Sequence, residues 1–149
     1  MIKSTVSGKS YKAPPGTCKS HNLIYCAECM LCHKQYVGKT VNKLQKRISG
    51  HRTYVNKLDN ILDFVESDDT ALAHHLKQDH NFDTIRLFNL SYKFTILENN
   101  PHSLDDAEQR WVNRIVCMRP FGLNVEKPGG VTESYQSMTR KSLQNSLQR

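Results

Sequence analysis

Residues 22–52, NLIYCAECMLCHKQYVGKTVNKLQKRISGHR, decide how the rest of the chain is read. An apolar run ends in Tyr25, a cysteine-rich turn follows, and extended sequence resumes at Tyr36-Val37-Gly38-Lys39-Thr40. Two short strands so close in sequence, Leu23 to Ala27 and Gln35 to Gly38, pair most easily as an antiparallel hairpin. Such a hairpin sets Tyr25 and Tyr36 side by side. Thr40 suits the cap of a helix from about Val41 to Leu58. Leu44, Ile48 and Val55 give that helix an apolar stripe, while Lys43, Lys46, Arg47 and Arg52 make the rest basic. Arg47 and His51 stand one turn apart at the margin of the stripe, so they can point into one site. Two phenols, a guanidinium and an imidazole gathered in this way are parts of a phosphate-cutting site.

Before the hairpin, residues 1–17 are polar and basic, broken by Pro14-Pro15-Gly16. They read as a flexible or loosely docked arm ahead of a domain spanning 18–126. Beyond the basic helix, Ser67-Asp68-Asp69-Thr70 signals a second helix over Ala71 to Lys77. Leu90 to Leu97, LSYKFTIL, is β-branched and aromatic and reads as a third strand. Ser103-x-x-Asp106 resembles a capping box and opens a helix to about Val116, which Pro120 ends. The tail at 127–149 is rich in Gly, Ser, Thr and Gln and reads as disordered. The expected fold class is therefore a small α/β (α+β) domain, a three-stranded and mostly antiparallel sheet flanked by helices.

A chain of 149 residues with 38% hydrophobic content holds one modest core. No apolar run is long enough to span a bilayer and the N-terminus lacks the apolar segment of a signal peptide. Membrane partners are thus not expected, and an intracellular protein is. Charge is uneven: residues 1–57 hold eleven Lys or Arg against Glu28 alone, a balance of +10, so the remainder carries −3 of the total +7. One basic surface facing a polyanion is the reading this supports, with a merely solvated face as its rival.

Four of the five cysteines fall between Cys18 and Cys32. An odd count without a secretory signal favours metal over disulfides. Cys29-x-x-Cys32 lets one tight turn present two thiolates to a tetrahedral zinc ion, and His75-x4-His80 can complete the set. His74 competes with His75, and Cys18 is a possible substitute ligand, while Cys26 and Cys117 read as small core residues. Glu108 is the sharpest single residue. On a helix it shares its face with Leu104, Trp111, Val112 and Ile115, a costly place for a carboxylate unless a cation meets it. Magnesium or manganese would serve, and so would a buried salt bridge to Arg47 or Arg86.

In order along the chain stand Leu23-Ile24-Tyr25, Tyr36-Val37-Gly38, Arg47-x-x-x-His51, Glu108 and Gly122-Leu123-Asn124. Over residues 18–126 this set resembles the GIY-YIG nuclease family. With Cys29-x-x-Cys32 between the tyrosines, it is most similar to the endonuclease domain of Penelope-like retroelements, which carries a zinc-binding insertion there. Leu23 stands where the family has its first glycine. The resemblance implies a GIY-YIG-like fold with one structural zinc, and metal-dependent cleavage of DNA phosphodiester bonds.

It also implies roles for single residues. Tyr25, then His51, is the candidate acceptor of the proton from the attacking water, with Tyr36 the second phenol of the cluster. Arg47 stabilises charge growing on the phosphate, and Glu108 holds Mg²⁺ or Mn²⁺. Lys39 contacts the scissile phosphate or its neighbour, and Asn124 supplies a supporting hydrogen bond. Lys39, Lys43, Lys46 and Arg52 are the candidate DNA contacts. A 3′-hydroxyl product can prime reverse transcription at the target, which implies a fused or partner reverse transcriptase and a nuclear location. Two other readings stay open: a nuclease of the same fold in restriction, repair or homing, and a zinc-clipped nucleic-acid-binding module without activity.

Overall fold

The computed structural model describes residues 1–57, 67–81 and 85–125. The tail expected at 127–149, the end of the first helix at Leu58 and the side chain of Arg86 lie outside them.

The hairpin forms as its sequence requires. Strands β3 (Leu23–Cys29) and β4 (Gln35–Thr40) pair antiparallel, with Tyr25 opposite Gly38 and Ala27 opposite Tyr36. Strand β5 (Tyr92–Asn99) flanks β3 on its other side, also antiparallel, giving the order β4-β3-β5. As the central strand, β3 is covered on both faces, which explains its apolar run from Leu23 to Ala27. A register shift at Ile24/Tyr25 breaks the β3–β5 ladder where Tyr25 turns toward the site, the kind of irregularity that re-aims a side chain.

Helix α1 (Leu44–Lys57), helix α2 (Ala71–His80) and the short helix α3 (Ile85–Ser91) surround one face of the sheet. Leu23, Tyr25, Ala27, Tyr36, Leu72 and Phe88 are buried there. Helix α4 (Leu104–Ile115) covers the other face, burying Trp111, Val112 and Ile115 with Ile24, Cys26 and Val37. Cys26 and Cys117 are core residues of this second layer, as expected. The Ser103 cap is also as expected, its hydroxyl accepting from the Asp106 N–H at 3.3 Å. Among the described residues no helix is long and apolar enough to cross a membrane.

Three expectations are corrected. Thr40 does not cap α1: it ends β4, and its hydroxyl accepts from Asn42 N–H at 3.0 Å to turn the chain. The first N–H groups of α1 are met instead by backbone, Leu44 by Ser20 O at 2.9 Å and Gln45 by Cys18 O at 2.8 Å. The third strand starts at Tyr92, not Leu90, because Leu90 and Ser91 close α3. The arm at 1–17 is not loose at its start. Strands β1 (Ile2–Lys3) and β2 (Ser10–Tyr11) form a small hairpin whose Ile2 joins the α4 core. Buried Ser4 donates to Ile115 O at 2.5 Å, and buried Gln35 accepts from Thr5 N–H at 2.9 Å while donating to Lys3 O at 2.7 Å.

The segment after α4 braces the free side of β4. Leu123 N–H donates to Gln35 O at 2.9 Å. The fully buried Asn124 amide accepts from Val37 N–H at 2.9 Å and donates to Val37 O at 2.8 Å, as a strand would. A Cβ on Gly122 would lie 2.5 Å from Cys117 Cα and 2.6 Å from Gln35 O, so only glycine fits this approach. Truncating Asn124 orphans both polar groups of Val37 in a dry place. Asn124→Ala is expected to cost about 3 kcal/mol, seen as a lower urea midpoint at unchanged slope.

Candidate functional site

Four side chains predicted from the sequence meet at the β3–β4–α1 junction. Tyr25 is fully enclosed, and its hydroxyl lies 2.5 Å from His51 Nε2 and 3.2 Å from Arg47 Nε. Tyr36 packs beside it, ring centroids 6.2 Å apart, and stands edge-on to His51 at 5.3 Å. His51 Nδ1 is 3.3 Å from the Asp69 carbonyl. A carbonyl can only accept, so Nδ1 carries the proton and Nε2 is bare. The Tyr25 hydroxyl therefore donates to His51, while Arg47 donates to the Tyr25 oxygen.

Burial and then the Arg47 charge push the His51 pKa down to about 3, so the ring is neutral. Burial raises Tyr25 to about 12 despite Arg47, and raises Tyr36 well above the phenol range. Neither phenol ionises near neutral pH in this arrangement. Arg47 is also in an ion pair, Nη2 to Asp69 Oδ1 at 2.7 Å. Its partner is thus Asp69, not Glu108.

The tyrosine ring lies across Gly38. A Cβ there would come within 2.9 Å of Tyr25 Cε1 and closer still to Cζ and the hydroxyl. Gly38 is therefore the residue that makes room for the Tyr25 hydroxyl, and Asn124 fixes it by holding the neighbouring Val37. Leu23 is a buried strand residue opposite Thr40 and Asn99.

Glu108 is buried on α4, and among the described residues the cation that meets it is Lys39, with Nζ 3.6 Å from Oε1. Lys39 also pairs closely with Asp105, one turn earlier on α4. Burial works against the charged form of Lys39, but the two carboxylates outweigh it and its pKa is raised. Glu108 is pushed up to about 7, first by burial and then by Asp68 and Asp105, with Lys39 opposing. Lys39, Asp105 and Arg47 line an open cleft of about 470 Å³ together with Thr40, Asn42 and Ser103.

Of the expected DNA contacts, Lys43, just before α1, and Lys46, in its first turn, are exposed. Arg52 points elsewhere: its guanidinium bonds Asn89 Oδ1 at 3.2 Å and Ser49 Oγ at 3.0 Å, tying α1 to α3. Asp68, Asp69 and Asp105 are site residues that the sequence reading missed. Its only signal, Ser67-Asp68-Asp69-Thr70, reads as a helix start and nothing more.

At the far end of the hairpin, Cys29, Cys32, His75 and His80 form a cluster able to hold a metal ion, all donor atoms within 4.8 Å of one another. Cys29 Sγ is 3.5 Å from His80 Nε2, Cys32 Sγ is 3.3 Å from His75 Nε2, and the two Nε2 atoms are 3.2 Å apart. His75 Nδ1 meets Asp79 Oδ2 at 2.7 Å, an arrangement that fixes the ring with Nε2 toward the cluster. His75, not His74, belongs to the cluster, and Cys18 sits apart with Gln45.

Two outcomes follow from this geometry. Purified protein should carry about one thiophilic metal per chain; His75→Ala and Cys29→Ser should lose it and His74→Ala should keep it, by elemental analysis. Glu108 has a folded pKa above its unfolded one. Its contribution to stability is therefore full below about pH 4.5 and is lost as pH rises through about 7. Glu108→Gln should then be more stable than wild type at pH 8 by on the order of 2 kcal/mol without added Mg²⁺, and not at pH 4.5. Equal pH profiles would contradict the burial cost. Comparison of the chain with protein-family profiles, curated proteins and solved structures yields no match, so the geometry of the site carries the functional reading.

Proposed function

We propose that the chain is a metal-dependent endonuclease that hydrolyses phosphodiester bonds of DNA. The observation that carries this reading is one cleft bordered by Arg47 and Lys39, with the Tyr25–His51 pair behind the arginine and the Glu108 carboxylate behind the lysine.

A buried carboxylate raised toward neutrality fits a hard cation, which prefers oxygen ligands and retained waters. Glu108 would hold Mg²⁺ or Mn²⁺, and the ion would stabilise the charge of the phosphorane-like transition state and the leaving oxygen. The remaining work falls to the chain. Arg47 turns its Nε from Tyr25 to a phosphate oxygen, its planar fork matching the developing charge. That exchange frees a lone pair on Tyr25. The phenol then takes a proton from the attacking water as it passes its own to His51 Nε2. Burial and then the Arg47 charge suppress imidazolium in the free protein, and the incoming phosphate offsets the second of these. Water oxygen bonds to phosphorus and the bond to the 3′-oxygen breaks; that oxygen leaves opposite a 5′-phosphate and takes a proton from solvent water, and His51 returns its own proton to solvent. Lys39 shifts from Asp105 to the phosphate backbone, and Lys43 and Lys46 neutralise flanking phosphates.

The Cys29, Cys32, His75 and His80 cluster holds a structural zinc in this reading. Zn–S near 2.3 Å and Zn–N near 2.0 Å put tetrahedral ligand atoms about 3.3–3.8 Å apart, close to the separations above. A free 3′-hydroxyl suits target-primed reverse transcription, and the matching partner is a fused or separate reverse transcriptase. One observation favours the rival reading, a zinc-clipped DNA-binding module without chemistry: the Tyr25 hydroxyl is enclosed by protein partners.

Supercoiled plasmid with Mg²⁺ or Mn²⁺ separates the two. Wild type should nick it, and Arg47→Ala and Glu108→Ala should each be slower by about 100-fold or more. Equal nicking by all three ends the active-site assignment, and binding without nicking by wild type favours the rival.

A further inference from the structure

Arg47, Tyr25 and His51 form a chain of hydrogen bonds whose two ends meet on one residue. The Asp69 carboxylate takes Arg47 Nη2 at 2.7 Å, and the Asp69 carbonyl takes His51 Nδ1 at 3.3 Å. Between them stand the Arg47 Nε to Tyr25 bond of 3.2 Å and the Tyr25 to His51 Nε2 bond of 2.5 Å. We infer that Asp69 is a positioning residue for this site, closing the ring Asp69–Arg47–Tyr25–His51 and so setting both the aim of the guanidinium and the direction of the Tyr25 proton.

Each half of the task has its own chemistry. The main-chain carbonyl selects the His51 tautomer with Nε2 bare, and without that choice Tyr25 would have no acceptor. In the DNA-free protein the carboxylate holds one terminal nitrogen of Arg47 while Tyr25 holds Nε; when a phosphate takes Nε, the Asp69 contact still holds the guanidinium at the cleft that Arg47 lines. A guanidinium held at two points loses less freedom when it meets a phosphate. Asp69 is half-exposed, with 53% of its side chain accessible, so its ion pair adds little to folding. Its effect is thus expected on alignment rather than on stability. Asp68 does different work: its Oδ1 accepts from Val125 N–H at 2.8 Å, joining the same turn to the segment behind β4.

The rate arm of the test rests on the nuclease reading, and the spectroscopic arm does not. In the full-length chain, Asp69→Ala should slow single-turnover plasmid nicking by about 10- to 100-fold. Its DNA affinity should stay within about 3-fold and its melting temperature within about 3 °C. Asp69→Asn keeps an acceptor and should recover part of the rate. In ¹⁵N NMR spectra of the DNA-free protein, Asp69→Ala should shift the Arg47 Nε–H resonance and speed its exchange. The His51 Nδ1–H tautomer, held by the carbonyl, should persist in both variants. A variant as fast as wild type or faster, or an unmoved Arg47 resonance, would overturn the inference. Failure of wild type to nick would count against the nuclease reading alone, and the Arg47 resonance would then decide the role of Asp69.

Discussion

The contact between Tyr25 and Gly38 is the constraint on which the site depends. The phenol can lie across the neighbouring strand only because residue 38 has no side chain. That places its hydroxyl against His51 and Arg47 on α1 rather than in the middle of the sheet. The hairpin register follows from the same contact. A slip of one residue would turn Tyr25 and Ala27 to the α4 face and Ile24 and Cys26 to the α1 face, emptying one core and crowding the other. Asn124 defends this register from outside, since its amide occupies both polar groups of Val37 and leaves β4 no freedom to slide.

Much of the fold was legible because local pattern and tertiary demand agree. The two short extended stretches at Tyr25 and Tyr36, the Ser103 cap and the β-branched and aromatic run before Leu97 each specify one local structure, and packing accepts it. Two of the misses share a cause: a partner distant in sequence overrode a local signal. Thr40 looks like a cap, but the carbonyls of Cys18 and Ser20 reach the α1 N–H groups first. The first eleven residues look solvated by composition, yet Ile2, Ser4 and Tyr11 find α4 more than a hundred positions away. Leu90 carries strand-like neighbours but belongs to α3, whose short length leaves little periodicity to read.

The site divides along the same line. Tyr25, Tyr36, Arg47, His51 and the Cys/His set were visible as residue types at chemically sensible spacing. Glu108 was visible as a carboxylate in an apolar stripe, although its cation, Lys39, was assigned to phosphate. Asp68, Asp69 and Asp105 were hidden because acidic residues at helix starts are common and ordinarily do no more than meet the helix dipole. Only the three-dimensional turn at 67–70 gives Asp69 a guanidinium and an imidazole at once. Arg52 shows the converse error, a basic residue on a basic helix whose guanidinium is spent on Asn89 and Ser49.

Helix α2 joins the two clusters. Its preceding turn carries Asp69 to Arg47 and His51, and its own residues His75 and His80 meet Cys29 and Cys32 at the opposite end of the hairpin. Strand β3 spans the same gap, with Cys29 and Tyr25 about 13 Å apart along an extended chain, against about 15 Å for the whole of α2. Strand and helix thus lie as two struts, tied at one end by thiols and imidazoles and at the other by the Asp69 ring. The Tyr92 hydroxyl, at the start of the neighbouring β5, also reaches α2, donating to Leu72 O at 2.7 Å. The Cys/His cluster thus stands at the C-terminal end of α2, and the turn before α2 carries the carbonyl that selects the His51 tautomer.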